Sequence, residues 1–294
     1  MIEKKNNKTT LNKFSNLKTW DLKWLISDHK LEAIKINFNI QKNVVKALIY
    51  RELKTRISKV RFGVFGLFIQ PLGIITVFLL IFVLLRGSRN DIDTALFLTV
   101  GVIFFTLFNE IAIRSVNSMK ANEALFFYKA VKPIDTIIAR TIVETCLYSI
   151  VLIIITAGIF FFKDIWTLDQ VFIVTSSFLT LSLFSFNVGL FLMVAAHKYP
   201  IIKQVVPLFN RPLWFTSGIF FSINQIPPGI RDFFSWNPIL QSIELARNGF
   251  TENYIIDPSI ISFRYLIWIT LFSTCISYWT VSYTHLTLPT NTVV

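Results

Sequence analysis

Six runs of apolar residues, each close to 20 residues long, decide what this chain can fold into: Leu67 to Leu85, Ala95 to Ile113, Ile137 to Phe162, Val171 to Ala196, Val205 to Phe221 and Phe263 to Val281. A helix rises about 1.5 Å per residue, so ~20 apolar residues cover the hydrocarbon core of a bilayer. That core holds no water to satisfy exposed backbone groups, which leaves helices or closed barrels as the spanning structures. Runs of this length predict an all-α integral membrane protein with six transmembrane helices. The mean hydropathy of +0.59 agrees with this reading. A soluble domain of similar apolar content would break such runs with charge every few residues.

Charge is segregated along the chain. Of the 29 Lys and Arg, 15 lie in residues 1–66, against 5 of the 17 Asp and Glu. A basic N-terminal segment raises nucleic acid as a partner, but the long apolar runs follow at once. Basic flanks on the cytoplasmic side are what membrane insertion requires, so no nucleic acid is expected. Between the runs the bias points the same way. Arg114, Lys120, Lys129 and Lys132 fall in one predicted inner loop, with Lys198 and Lys203 in the other. The predicted outer loops offset Arg86 and Arg89 with Asp91 and Asp93, and Lys163 with Asp164. Both termini are therefore expected on the cytoplasmic side. No cleavable signal is read at the start, so the first span would itself direct insertion.

Residues 1–43 read as a polar extension, a weak helix or a disordered arm on anionic headgroups. From Val44 an amphipathic interfacial helix is predicted. Val45, Ile49, Leu53, Ile57 and Val60 recur at helical spacing, with Lys46, Arg51, Lys54, Lys59 and Arg61 on the other faces. It suits a simple anchor or a gate at the mouth of a pathway. Between the fifth and sixth runs, Ile226 to Phe234 and Ile239 to Phe250 are apolar but too short to span, and Asn237-Pro238 breaks them. Such lengths fit short re-entrant or interfacial helices. The fifth run itself contains Pro207, Arg211 and Pro212, and broken helices with a charge more often border a pathway than lipid.

Two stretches carry the polar chemistry. In NEALFFYKAVKPIDTIIARTIVETCLY, residues 122–148, a polar and aromatic loop turns into an apolar helix through Lys132-Pro133. Pro133 suits the first helical position and Asp135 the first turn, where the helix dipole favours a negative charge. A cytosolic element is thereby joined rigidly to a spanning helix. In that helix Thr136, Arg140, Glu144 and Tyr148 follow at i,i+4 as one polar stripe. Arg140 and Glu144 read either as a mutual ion pair near the interface or as a stripe facing a partner subunit or conduit. Asn109 and Glu110 sit near the inner end of the second run. Cys146 and Cys275 lie inside apolar runs and read as small core hydrophobes.

Enzyme motifs do not appear. The chain has no GxxxxGK[ST] phosphate loop, no HExxH, no CxxC and no GxSxG, and His29, His197 and His285 are far apart. Neither a catalytic residue, a metal site nor a bound cofactor is expected. Asp91 and Asp93 could serve a membrane-embedded transferase, but paired acids in a short loop are usually just solvated.

With these residues laid out, the chain resembles the permease subunits of ABC transporters that export capsular polysaccharide, the KpsM-like branch of the type 2 ABC exporters, over about residues 41 to 281. The most specific likeness is YKAVKPIDTIIARTIVETCLY at 128–148. ALIYRELKTRISKVRFG at 47–63, NRPLWFTSGIFFSINQIP at 210–227 and WNPILQSIELAR at 236–247 are similar in the same order. The resemblance implies a homodimer of six-span permeases in the bacterial inner membrane. Two cytosolic ATPase subunits would carry ATP and Mg, and periplasmic export components would receive a lipid-linked polysaccharide. On this chain the coupling element would be residues 122–135, with Phe126, Phe127, Tyr128, Lys132, Pro133 and Asp135. The gate helix would carry Arg51, Lys54, Arg56, Lys59 and Arg61. Arg140, Glu144, Tyr148, Arg211, Trp214 and Phe215 would line a conduit or the dimer interface, and Phe220 with Tyr148, Trp214 and Phe215 would form a wall for sugar rings. Aromatic side chains also fill lipid-facing and packing positions, and with 30 Phe most must do so. The fold alone leaves the cargo open among capsule, O-antigen, teichoic acid and lipid or drug. Residues 44–281 would form the transmembrane domain. After Arg264 no Lys or Arg follows, so 282–294, SYTHLTLPTNTVV, departs from a basic tail and reads as a non-native one.

Overall fold

A computed structural model describes residues 37–55, 69, 72–78, 80–81, 93–128, 130–163, 170–251 and 253–287. We label its helices α1 (37–55), α2 (72–78), α3 (Thr94–Ile111), α4 (Pro133–Lys163), α5 (Val171–Lys198), α6 (Ile202–Thr216), α7 (Pro228–Ser235), α8 (Pro238–Phe250) and α9 (Phe263–Thr287). Arg56, Lys59, Arg61, Lys129, Asp91 and most of the first apolar run lie outside the described residues.

The molecule is built round α3. Asp93 starts this helix by accepting from the backbone N–H groups of Ala95 and Leu96 at 2.9 and 3.3 Å, so it acts as a cap. Almost every residue that follows is buried, including Phe97, Phe104, Leu107 and Ile111, because α4, α5 and α8 surround it. Outside this centre the polarity is that of a membrane protein. Ile150, Ile153, Ile154 and Phe162 on α4 and Trp268, Phe272 and Trp279 on α9 are exposed. Large outward apolar faces on several helices match lipid as solvent.

Four helical stretches among the described residues are long and apolar enough to cross a membrane: Thr94–Ala121, Pro133–Phe162, Val171–Lys198 and Phe263–Ser282. The fifth expected run folds differently from the prediction. α6 has only 15 residues, contains Pro207 and Pro212, and stops at Thr216. Gly218 then turns the chain with φ +72°, which L side chains rarely adopt. α9 continues through 282–287, the start of the segment read as a tail.

Between helices the adhesive is polar as well as apolar. Asn187 on α5 donates to Thr274 Oγ1 at 2.8 Å and Ser273 Oγ at 3.1 Å, and accepts from Ser277 Oγ at 3.2 Å, so one amide ties α5 to α9. Cys146 and Cys275 are exposed, which corrects their reading as core residues. The physical reason is that an outward helix face is apolar too when its solvent is lipid, so apolar neighbours do not imply burial.

Candidate functional site

Three arrangements bring the candidate residues together. In the first, the connection from α3 to α4 folds as short turns, with 3-10 segments at Ile113–Asn117 and Glu123–Leu125 flanking one helical turn at Ser118–Ala121. Asp135 reaches back from the first turn of α4, its Oδ2 accepting from the Lys132 backbone N–H at 2.8 Å. The acid is buried, so it closes the helix start as well as complementing the dipole. Ile137, Leu190 and Met193, with Met119 and Ile134 against them, lock that start to the end of α5. The loop tip points the other way: Phe127 is 85% and Tyr128 68% exposed, while Phe126 is half-buried and Lys132 exposed.

α1 is fastened to this same element. Arg51 Nη2 donates to Asn122 Oδ1 at 2.7 Å, and Asn122 Nδ2 donates to the Ser118 carbonyl at 2.9 Å. Arg140 on α4 lies 3.6 Å from Glu52 and donates to Ser118 Oγ at 3.0 Å. Lys42, Lys46 and Lys54 face outward. Arg140 is thus paired across helices rather than with Glu144 along its own. At i,i+4 the two could have met, but Glu52 approaches from α1 and takes the guanidinium. Glu144 is fully buried.

The second arrangement lies between α3 and α6. Asn109, Thr106 and Phe105 face Asn210, Arg211, Trp214 and Phe215 across a cleft of about 300 Å³, with Ile74 of α2 also in its lining. Asn210 Nδ2 donates to Asn109 Oδ1 at 2.9 Å. Positions 210, 211, 214 and 215 share one face of α6 by helical spacing. From there the aromatics continue: Trp214 contacts Phe78 and Phe220 at centroid distances of 5.4 and 4.8 Å, and Phe78 contacts Phe220 at 4.4 Å.

The third is a buried charge cluster on α8. Arg247 is completely buried and spends its guanidinium on four carbonyls and one acid. Nη1 donates to Gly218 O at 2.8 Å, Phe221 O at 3.3 Å and Glu244 Oε1 at 2.9 Å. Nη2 donates to Phe97 O and Ile219 O, each at 3.1 Å. Its Cζ lies 3.3 Å from the centre of the Phe97 ring. Glu244 Oε2 meets Tyr254 Oη at 2.7 Å and Ser222 Oγ at 3.3 Å. Gly101 makes this possible, because a Cβ there would stand 2.9 Å from Arg247 Nη2 and 3.0 Å from Ile219 Cα. Asn237 completes the joint. Its Oδ1 caps α8 by accepting from Ile239 N at 3.0 Å, and its Nδ2 donates to Ser217 Oγ at 3.2 Å. The turn after α6, the start of α8 and the middle of α3 are therefore one unit. Farther out, Asp257 accepts from both the hydroxyl and the backbone N–H of Ser259, which holds its carboxyl below the ordinary range.

Against known proteins, residues 43–251 match the ABC-2 type transporter family, which is more than half of the chain. The chain belongs to that family. It is 34% identical over 235 residues to the polysialic acid transport protein KpsM of Escherichia coli, covering 80% of this chain and 90% of that one. It is 24% identical over 232 residues to the capsule polysaccharide export inner-membrane protein BexB of Haemophilus influenzae, covering 79% and 88% of the two chains. To the corresponding CtrC of Neisseria meningitidis serogroup B it is 26% identical over 218 residues, covering 74% and 82%.

In this ABC-2 chain the structure joins Arg51 to the 122–135 element and gathers Arg211, Trp214 and Phe215 around one cleft. Tyr148 stands apart, buried in the core with Val151 and Leu152. The cluster of Glu244, Arg247 and Tyr254 is not among the sites expected from the sequence, because both charges lie inside a short run that is otherwise apolar. Their i,i+3 spacing inside an apolar helix was the available signal. Among the described residues no group of three or more His, Cys, Asp or Glu could hold a metal ion.

Proposed function

We propose that this chain is the permease subunit of an ABC exporter that moves lipid-linked capsular polysaccharide across the bacterial inner membrane. The observation that carries the reading is the likeness to KpsM over 90% of that protein's length, with two further capsule-export proteins similar over most of theirs. The active unit would be a homodimer of six-span subunits with cytoplasmic termini, α1 at the membrane interface, α7 and α8 as re-entrant helices between the last two spans, and periplasmic export components as further partners. ATP and Mg would be bound by two separate ATPase subunits and not by this chain. Phe126, Phe127, Tyr128 and Lys132 would meet the ATPase, and Pro133 and Asp135 would transmit its movement into α4. The fastening of Arg51 and Glu52 to Asn122 and Arg140 supports this division of labour, since a push on the loop then moves α1 and α4 together. Trp214, Phe215 and Phe220 would offer sugar rings faces along which to slide, because aromatic faces attract C–H surfaces without fixing one register.

Deletion of the gene in its host tests the reading. Polymer should accumulate inside the cell and disappear from its surface. Unchanged surface polysaccharide would remove the capsule-export assignment.

A further inference from the structure

The cleft between α3 and α6 has a chemistry that sliding alone does not require. Arg211, an exposed residue, lines it from the middle of a helix whose other side chains there are largely apolar, and no carboxylate among the described residues lies within ion-pair distance. An Arg so placed needs an anion or water to complete it. Beside it, the Asn109–Asn210 hydrogen bond uses one donor and one acceptor of the two amides. What remains is the Asn109 amide nitrogen and the Asn210 Oδ1, and that oxygen is buried with no hydrogen-bond partner. Swapping O and N in both amides would leave the same inventory, one acceptor and one NH₂. Such a pair matches neighbouring hydroxyl groups, one donating and one accepting. Trp214 and the exposed Phe215 line the cleft with ring planes 82° apart, so a ring lying flat on one meets the edge of the other. At about 300 Å³ the space is at the small end of ligand clefts.

We infer that this cleft is a subsite for one sugar ring that carries a negative charge, with Arg211 reading the charge, Asn109 and Asn210 reading hydroxyls, and Trp214 supporting the ring. The inference rests on the export reading and adds to it a preference for acidic over neutral units. Arg suits the role because its planar fork pairs two N–H groups with a carboxylate or phosphate.

The test uses the full chain, purified and reconstituted in phosphatidylcholine nanodiscs, titrated with galacturonic acid trimer and with maltotriose. Calorimetry reads binding and tryptophan fluorescence reports the cleft. The acidic trimer should bind saturably and about ten-fold or more tightly than maltotriose, equivalent to ~1.4 kcal/mol, with the advantage shrinking as salt is raised. Arg211→Gln should abolish the discrimination and Arg211→Lys should keep part of it. Asn210→Asp, nearly isosteric, should weaken the acidic trimer more than maltotriose and so carries the test if Arg211→Gln does not fold. Trp214→Phe should reduce the fluorescence change while calorimetric binding persists. Equal affinity for the two trimers, no saturable binding of the acidic one, or discrimination that survives Arg211→Gln would overturn the inference. So would displacement of the trimer by phosphatidylglycerol in the nanodisc, which would assign the cleft to a lipid headgroup. A chain needed for surface polysaccharide but indifferent to charge would lose only this inference. One that prefers the acidic trimer but is dispensable for surface polysaccharide would lose the export reading instead.

Discussion

Arg247 shows how much one side chain can hold together in this molecule. Its hydrogen bonds end on carbonyls of residues 97, 218, 219 and 221, from two separate parts of the chain, and its charge is balanced only inside the protein. Removing one member of a buried pair leaves the other charge uncompensated, at a cost of about 3–5 kcal/mol. Arg247→Met should therefore lower the thermal midpoint of the purified protein sharply and reduce the monodisperse fraction in detergent. Glu244→Gln combined with Arg247→Met should recover part of the loss, because no lone carboxylate is then buried. If Arg247→Met melts with the wild type, the cluster is not holding this joint. Reading the chain alone could place Glu244 and Arg247 on one face of a short helix. It could not show the carbonyls, because those of residues 218, 219 and 221 become acceptors only once α6 ends at the Gly218 turn and Ile219 packs against Gly101.

At the scale of elements, the 122–135 connection divides into a fixed base and a free tip. Asp135 and Asn122 are buried and hydrogen-bonded, so changing either disturbs the start of α4 or the seat of α1 and tests structure before coupling. Phe127 and Tyr128 are exposed, so their side chains contribute little to the fold of the isolated chain. The double change Phe127→Ala, Tyr128→Ala should leave membrane insertion and thermal stability within about 0.5 kcal/mol of wild type, yet lower export per ATP hydrolysed in the assembled transporter. Normal export from that variant would place the ATPase contact elsewhere. Much of this element was legible, since Pro133 and Asp135 are local signals that the first helical turn must obey. The fastening of α1 was not, because Arg51 looks like any solvated basic residue until Asn122 is brought beside it from 71 positions away.

For the molecule as a whole, four of the six apolar runs became, among the described residues, helices long and apolar enough to cross a membrane, and the runs could not say which faces look outward. In lipid both sides of a spanning helix are apolar, so the inside-outside contrast that marks a soluble core is lost. That is why the burial of α3 and the exposure of Cys146 and Cys275 were out of reach; α6, by contrast, stops short of the end of its apolar run because the chain turns at Gly218. The two cysteines also make the outward faces testable without engineering, since the chain has only these two. Cys146 on α4 and Cys275 on α9 are both free and exposed in the single subunit. A charged, water-soluble maleimide does not enter the hydrocarbon layer, so a thiol facing lipid is out of its reach. In native membranes a water-soluble, impermeant maleimide should label neither site, even with both sides of the membrane accessible, whereas the same reagent should label both after denaturation in detergent. Labelling of Cys146 alone in the intact membrane would mean that this face of α4 borders water, and the conduit would then have to be drawn along α4 instead of along α6.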